Sequence, residues 1–262
     1  EALAAQLSQL SPERQSRVLL ALADRSDDAV LPAVKAAAKE GSKETRVAAL
    51  NVLQHVGNAS CIPLLVDAAT ADDPAIAQAA NASLAALHDS DADADLSRLL
   101  PQAQGKQRQV LIEAASARRI ESAVPMALRF ATDPDPALRK AASDALGALA
   151  AAQEIAPMVD LLKAASPQDR SHLEPALLAI SGRSGAASTP ALMPLLSQAD
   201  PSLRIVGLHA LAAVGGPQAL AAVTGAIEDQ DQGVQDDAVR TLATWPNNWP
   251  DDSGIAQPLL AL

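Results

Sequence analysis

A repeating pattern of fixed length is the feature that most limits how this chain can fold. The stretch Asp200–Gly216 opens with Asp-Pro, carries an arginine in its first turn and ends at Gly-Gly, and seven other segments repeat its pattern. The matching anchor positions are Pro12, Lys43, Pro74, Gly105, Pro136, Pro167, Pro201 and Gln232, spaced 31 residues apart except for one spacing of 34. A period of roughly 20 to 50 residues is typical of a solenoid, in which like units stack on their neighbours.

Two apolar columns follow the anchors and predict one helix of each repeat, called helix B. Ten residues after the anchor lie Leu22, Leu53, Leu84, Ala115, Leu146, Leu177, Leu211 and Leu242. One position earlier lie Ala21, Val52, Ser83, Ala114, Ala145, Ala176, Ala210 and Thr241. Small residues allow two helices to approach closely, and leucine can fill the space between layers. We therefore expect the leucine column to form the core.

A second apolar pattern precedes the anchors and predicts a partner helix, called helix A. Its columns lie nine, six and five residues before the anchor, as in Leu65, Ala68 and Ala69, and these spacings mark one face of an α-helix. Near its start lie Pro32, Pro63, Pro125, Pro157 and Pro190, where proline is tolerated because the first-turn N–H has no helical partner. The sequence thus predicts an all-α, right-handed α-α superhelix of about eight two-helix repeats. We expect a single domain over residues 1–262, forming part of a longer chain, because helix A patterns begin at both ends, in Glu1–Leu10 and Gly254–Leu262.

The repeat resembles HEAT repeats, and its length resembles the short variety found in phycobilisome lyases. The likeness is carried by Pro-Leu-Leu at 63–65 and 194–196, Asp-Pro-x-x-Arg at 135–139 and 200–204, and Ala-Leu-x-x-Val/Leu-Gly/Ala at 145–150 and 210–215. Residues 21–25 and 238–246 are also similar to HEAT regions of large exported proteins of planctomycete-type bacteria. Such regions often accompany a sugar-binding or 3-keto-disaccharide hydrolase domain, or a c-type cytochrome. That resemblance alone favours a periplasmic or exported protein.

Composition restricts the partners that the chain can bind. The formal net charge is −11, which makes duplex DNA a poor ligand because phosphate binding relies on lysine and arginine. The single cysteine, Cys61, excludes an internal disulfide, and we expect a small buried thiol at the start of a helix A. The uncharged run Ile205–Ile227 is long enough for a membrane span, but Gly215-Gly216-Pro217 divides it, so we expect two helices of the repeat.

The sequence shows no constellation that predicts catalysis, a cofactor or a metal. HEAT-type deoxyhypusine hydroxylase holds iron with His-Glu pairs, whereas the four histidines here are followed by Val, Asp, Leu and Ala. A Gly-x-Ser-x-Gly nucleophile motif and a glycine-rich phosphate loop are also missing from the sequence. We therefore expect a protein that is not an enzyme.

Five repeats carry arginine three residues after the anchor: Arg46, Arg108, Arg139, Arg170 and Arg204. Such a basic ladder can bind an anionic ligand, or it can be structural, with each arginine pairing with acids and backbone of an adjacent turn. We favour the structural interpretation.

Helix B lines the concave side of HEAT-like stacks, so its outward columns predict a binding face. These columns should lie five, eight and twelve residues after the anchor, and alanine dominates them. The candidate binding residues among them are Asn51, His55, Glu113, Asp144, His172, His209 and Arg240. The resulting hypothesis is a non-catalytic scaffold that binds a protein or peptide on this face, without nucleic acid or membrane insertion. The alternative is an accessory structural region of a larger exported bacterial enzyme, sugar-active or cytochrome-linked.

One repeat departs from the pattern. Pro175 falls inside a helix B, the segment Ser181–Ser188 has two glycines and three serines, and the period slips there from 31 to 34. Proline removes a helical hydrogen bond and clashes with the preceding turn. We expect the helix to end or kink near Ser171–His172 and the segment to act as a hinge.

Overall fold

The structure is a computed structural model that describes residues 7–23 and 28–252, and its regular elements there are all helices. The α-helices are α1 (Pro12–Ala23), α2 (Leu31–Glu40), α3 (Lys43–Val56), α4 (Ile62–Ala69), α5 (Pro74–Ala86), α6 (Ala92–Leu99), α7 (Lys106–Ala117), α8 (Val124–Phe130), α9 (Pro136–Leu149), α10 (Ile155–Ala164), α11 (Pro167–Ser184), α12 (Thr189–Leu196), α13 (Pro201–Val214), α14 (Gly216–Gly225) and α15 (Gln232–Asn248). Short 3₁₀ turns lead into or out of many of them, for example Ala59–Cys61, Ala152–Glu154 and Gly185–Ser188. The all-α class predicted from the repeat is confirmed.

The anchor positions mark the starts of the helix B elements. Seven anchors are the first residues of α1, α3, α5, α9, α11, α13 and α15, and the eighth, Gly105, is the N-cap of α7. Asp73, Asp135 and Asp200 precede three of the proline anchors, and each carboxylate accepts hydrogen bonds from backbone N–H groups of the first turn. This pairing of an aspartate cap with a first-turn proline satisfies one otherwise unpaired donor and presets the backbone angle. The predicted register is therefore confirmed.

The helices form two compact units, residues 1–126 (unit 1) and residues 127–262 (unit 2), and the division falls within α8. In unit 1, helix B elements α1, α3, α5 and α7 pack in chain order, and helix A elements α4 and α6 pack together. In unit 2, α9, α11, α13 and α15 form the corresponding helix B layer, and α10, α12 and α14 form the helix A layer. Within each unit, successive repeats contact one another, as expected of a repeat protein. A single domain over the whole chain stays a prediction.

The core consists of the predicted columns. All eight members of the leucine column are buried, from Leu22 at 4% exposure to Leu53, Leu146 and Leu211 at 0%. The small column beside it is buried as well, apart from Ala21, which is exposed. Helix A contributes the column nine residues before the anchor, represented by Leu65, Met158, Leu192 and Val223, each 0% exposed. Cys61 is a buried free thiol, as expected.

The helix was predicted to end or kink near Ser171–His172; an end there is wrong, and a kink stays a prediction. Helix α11 runs from Pro167 to Ser184 with Pro175 inside it. It has 18 residues, against 14 in α9 and in α13, so the longer spacing lengthens the helix before the 3₁₀ turn Gly185–Ser188. Pro175 and Ser171 are both exposed, so water can hydrate the Ser171 carbonyl that has no N–H partner at position 175. Readier opening of residues 160–215 stays a prediction.

The uncharged run between Ile205 and Ile227 is two helices, as expected. Gly215 and Gly216 separate α13 from α14 with φ values of 69° and 84°. Across residues 7–23 and 28–252, none of the helices combines the length and apolar character that crossing a membrane requires. The predicted helix at Gly254–Leu262, and most of the one at Glu1–Leu10, lie outside the described residues.

Candidate binding face

The outward columns of helix B are exposed at two of the three predicted positions. Among the described residues eight and twelve positions after the anchors, the side chains are exposed or half-buried, including Ala82, Ala117 and Ala179. The column five residues after the anchor was also predicted to face outward, and for half of the repeats this is wrong: Ala79, Val110, Ala141 and Val206 are buried. In that column Arg17 and His172 are exposed, and the other two side chains are half-buried.

In unit 1 the candidate residues are separated along the helix B layer. Asn51 and His55 are exposed on α3, where His55 Nε2 lies 2.8 Å from Gln54 Nε2. Glu113 is exposed on α7, and its Oε1 accepts a 2.8 Å hydrogen bond from Gln109 Nε2. These contacts lie within single helices, so the candidate side chains of unit 1 do not converge on one point.

In unit 2 the four candidates lie on four successive helix B elements. Asp144 on α9 is exposed and pairs with Lys140 at 2.6 Å, one turn earlier on the same helix. His172 on α11 and Arg240 on α15 are exposed, whereas His209 on α13 is half-buried. Only His209 is placed by the structure in contact with side chains of other repeats.

His209 lies between two carboxylates that the candidate set did not contain. Its Nδ1 is 2.6 Å from Glu174 Oε1 on α11, and its Nε2 is 3.0 Å from Asp237 Oδ2 on α15. The hydrogen bond that Glu174 accepts from His209 is the main cause that raises the pKa of His209; the charges of Asp237 and Glu174 raise it further, and burial opposes the shift. Glu174 lies seven residues after its anchor Pro167, outside the columns that predicted the face, whereas Asp237 lies five residues after its anchor Gln232, in the first of those columns.

The arginine column forms a ladder that ties neighbouring repeats together. Arg139 Nε donates to Asp169 Oδ1 at 2.9 Å, Arg170 Nη1 donates to Asp200, and Arg204 donates to both carboxylate oxygens of Asp229, at 2.9 and 2.8 Å. Each guanidinium also donates to carbonyl oxygens in the last turn of the preceding helix A or in the turn that follows it, such as Gln198 O at 2.7 Å from Arg204. We call these three pairs the arginine ladder. The structural interpretation is confirmed.

The ladder has a clear electrostatic signature. The hydrogen bond from Arg170 lowers the pKa of Asp200 to about 2, and the Ser202 hydroxyl contributes to the same shift. The hydrogen bonds from Arg204 likewise lower the pKa of Asp229. In unit 1, Arg46 and Arg108 occupy the same column and donate to the carbonyl oxygens of Ala38 and Ala103.

Comparison with models of known protein families identifies the family of this chain. Residues 1–85 and 31–116 match the family model for HEAT repeats, and residues 123–153 match a second model described as a HEAT repeat. Together the matches cover more than half of the chain and fall on the helix pairs described above. The chain belongs to the HEAT-repeat proteins. Among curated protein sequences there is no match, and the likeness to planctomycete-type proteins stays a prediction.

Several solved structures are similar to this HEAT-repeat chain at low identity. Human deoxyhypusine hydroxylase in complex with glycerol is 18% identical over 94% of this chain and 95% of that one, with a TM-score of 0.40. A designed armadillo repeat protein in complex with the peptide (KR)4 is 18% identical over 70% and 99%, with a TM-score of 0.43. The CpcE–CpcF complex of phycocyanin lyase from Nostoc sp. PCC7120 is 19% identical over 70% and 98%, with a TM-score of 0.34.

A further contact between HEAT repeats was not predicted from the sequence. The last carbonyl groups of a helix B accept hydrogen bonds from a side chain at the end of the next helix B. Arg118 donates to Leu87 O at 2.8 Å, Arg183 to Gly147 O at 2.6 Å, and Trp249 Nε1 to Ala212 O at 2.8 Å. We call these contacts the carbonyl caps. Different residue types perform the same task, so no column of identical residues could reveal it.

Two cavities among the described residues lie at turns between HEAT repeats. One of about 320 Å³ in unit 2 is bordered by Arg139, Ser166 and Asp169, and one of about 280 Å³ in unit 1 is bordered by Pro63, Leu99 and Gln107. Neither is lined by a candidate binding residue. Within residues 7–23 and 28–252, no three side chains of His, Cys, Asp or Glu are placed to hold a metal ion together.

Proposed function

We propose that this HEAT-repeat protein is a non-catalytic scaffold that binds a protein or peptide segment along the outward face of its helix B layer. We call this surface the helix B face and define it by the positions eight and twelve residues after the anchors. The observation that carries the proposal is the repetition of short, exposed side chains along it, such as Ala82, Ala117 and Ala179. Alanine leaves room for an approaching backbone, and separated polar groups such as Asn51 and Asp144 can fix its orientation.

The charge of the chain supports a polypeptide partner in preference to a nucleic acid. A net charge of −11 repels a phosphate backbone, and the column that concentrates arginine is occupied by ladder contacts to acids and carbonyls. The side chains of the helix B face include both acidic and basic groups, among them Glu113, Asp144 and Arg240. A mixed surface of this kind suits polar groups of a peptide.

The environment of the histidines supports a role without catalysis. A general base needs an imidazole nitrogen that can accept a proton from a substrate. Both ring nitrogens of His209 lie within 3.0 Å of carboxylate oxygens, and the Nε2 of His55 lies against Gln54. These arrangements serve contacts within the protein.

The test is a peptide selection followed by blocking of the proposed face. Peptides selected from a displayed random library on the full chain would be measured against Ala82→Trp and Ala179→Trp, which place a large ring on the exposed helix B face. We expect each selected peptide to bind at least one of these two variants about tenfold more weakly than wild type. A tenfold loss of affinity corresponds to about 1.4 kcal/mol of binding free energy. The matched controls Ala36→Trp and Ala221→Trp lie at exposed positions of α2 and α14 and should leave affinity unchanged.

Substitutions of the polar candidates refine the same test. Glu113→Ala, Asp144→Ala, His172→Ala and Arg240→Ala should each change the affinity of a peptide that spans their repeat. Peptides that bind equally well to both helix B variants, and lose affinity only with the α2 or α14 variants, would show that the binding surface is the helix A layer.

A further inference from the structure

One imidazole contacts three successive repeats of unit 2. His209 is on α13, and its two ring nitrogens reach Glu174 Oε1 on α11 at 2.6 Å and Asp237 Oδ2 on α15 at 3.0 Å. The side chains of His209, Glu174 and Asp237 are 36%, 27% and 16% exposed, so the cluster is partly withdrawn from water. No other residue of the described chain joins three helix B elements through side-chain charges in this way.

This placement requires a particular protonation state. A neutral imidazole carries one N–H donor and one lone pair, whereas the imidazolium carries two donors. With carboxylate oxygens at both nitrogens, the neutral ring would direct its lone pair at one of them. Asp237 Oδ2 is buried and accepts no hydrogen bond from the described residues, so its 3.0 Å ion-pair contact with His209 Nε2 is the interaction that can compensate its charge. The geometry therefore favours the charged ring.

No cation is among the groups that shift the pKa of His209, although α11 also carries Arg170, His172 and Arg183 and α15 carries Arg240. Helices α11, α12, α14 and α15 pack against α13. The sequences of α12 and α14 contain no ionisable residue. The groups that face His209 are Glu174 from α11 and Asp237 from α15, and both are acidic. On α13 itself, Arg204 lies more than one turn away and is held by Asp229.

We propose that His209, Glu174 and Asp237 form a pH-dependent latch, in which the protonated imidazole holds α11, α13 and α15 together and its deprotonation loosens them. The latch is distinct from the proposed peptide binding, because it concerns the stability of this layer in the free protein. The pKa of His209 is raised by the Glu174 hydrogen bond and by the two charges. A raised folded-state pKa means that the stabilisation is complete below the ordinary value of 6.5 and is lost as pH rises through the raised one.

The direct test is an NMR titration of the four histidines in the full chain. His55, His88 and His172 are exposed and serve as internal references. We expect His209 to titrate at a higher pH than all three, and Glu174→Gln or Asp237→Asn to move its titration to lower pH. A wild-type His209 that titrates with the references or below them would overturn the proposal. This measurement on the unmodified chain remains decisive even if a variant fails to fold.

A second measurement tests the mechanical consequence. Amide hydrogen exchange of α13, corrected for the intrinsic effect of pH, should become faster as pH rises from about 6 to about 9. His209→Gln replaces the imidazole with a polar amide that carries no titratable charge. In this variant, the amide hydrogens of α13 should exchange faster than in wild type at about pH 6. Their corrected exchange rate should change little with pH. Helix α3 in unit 1 is the internal control and should respond equally in both proteins. If the corrected exchange rate of α13 had the same pH dependence in wild type and His209→Gln, the imidazole would not stabilise the packing of α11, α13 and α15.

Discussion

The two units have the same repeat and the same leucine column, but they join their repeats differently. In unit 2, three successive junctions carry the arginine ladder, and Arg204 and Asp229 have side chains only 5% and 14% exposed. In unit 1, the junction between the second and third repeats is spanned by Lys43 and Asp73 at 2.6 Å, with side chains 54% and 31% exposed. At the ladder position of α5 the residue is Ala77.

The difference shows what arginine adds to a repeat junction. Its planar group has five donors, so one side chain can bind a carboxylate of the next repeat and the carbonyls that end its own helix A. An exposed lysine is a solvated point charge, and its ion pairs contribute little to stability. We therefore expect the stability of unit 2 to depend on the arginine contacts between its repeats, and the stability of unit 1 to depend mainly on its apolar core.

The largest expected effect comes from removing a buried member of the ladder. Arg204→Ala leaves Asp229 and two carbonyl groups without their donor, and breaking a buried ion pair in this way costs roughly 3–5 kcal/mol. Both tryptophans, Trp245 and Trp249, lie in unit 2, so their fluorescence reports its denaturant unfolding separately from circular dichroism of the whole chain. The exposed Arg240→Ala is the control in the same unit. Equal fluorescence midpoints for Arg204→Ala and Arg240→Ala would remove the distinction between the units.

Truncating the leucine column should affect both units alike. Leu146→Ala and Leu211→Ala in unit 2, and Leu53→Ala and Leu84→Ala in unit 1, each remove a side chain that is 0% exposed. Each should cost roughly 2–5 kcal/mol in denaturant unfolding, because a cavity adds to the lost apolar transfer energy. Wild-type midpoints for both Leu146→Ala and Leu211→Ala would contradict the register on which the comparison rests.

Acid should weaken the ladder in a defined pH range. The pKa of Asp200 is lowered from 3.8 to about 2 by Arg170, so its contribution is present above 3.8 and is lost as pH falls through about 2. Asp200→Asn keeps an N-cap acceptor for α13 and removes the charge. We expect this variant to be less stable than wild type at neutral pH and to lose less stability on acidification, as followed by tryptophan fluorescence. If wild type and Asp200→Asn lost the same stability on acidification, Asp200 would not contribute to the acid sensitivity of unit 2.

The smallest effect is expected at the lysine junction. Lys43→Ala should change the free energy of unfolding by only about 0–1 kcal/mol, since both partners are partly solvated. Hydrogen exchange of α3 and α5 measures the change locally. If Lys43→Ala lost as much free energy of unfolding as Arg204→Ala, the exposed and the buried ion pairs would contribute equally to stability. That result would contradict the difference between the two units.

The repeat length allowed the core to be predicted in detail. A constant 31-residue spacing places equivalent residues in equivalent environments, so the anchors, Leu146 and Leu211 were all assigned correctly. The arginine ladder followed from the same regularity. What escaped prediction depends on contacts between unlike positions. Glu174 and Asp237 lie seven and five residues after their anchors and meet His209, which lies eight residues after its own, so columns of equivalent positions contain no signal for these contacts.

The failed prediction at Pro175 has a related cause. The penalty for proline inside a helix depends on whether the carbonyl one turn earlier is buried. The sequence identified the proline but not the solvent exposure of Ser171, which allows the helix to continue. The position five residues after the anchor was misassigned because helical periodicity fixes angular spacing within one helix. It does not fix which side the next helix covers.

The carbonyl caps give the stack a direction. In each carbonyl cap, a side chain of the following repeat donates a hydrogen bond to a carbonyl oxygen at the end of the preceding helix B. The donor therefore always lies later in the chain than the helix that it caps. The last described case is tight, since Trp249 covers Gly215 so closely that a Cβ there would lie 2.3 Å from the ring, and Asp252 accepts from Trp245 and Gly216. Shortening the protein after Val214 would therefore remove both a repeat and the donor that finishes α13. Trimming from the N-terminal side would leave the caps of every remaining repeat in place, so the two directions of deletion should differ in cost.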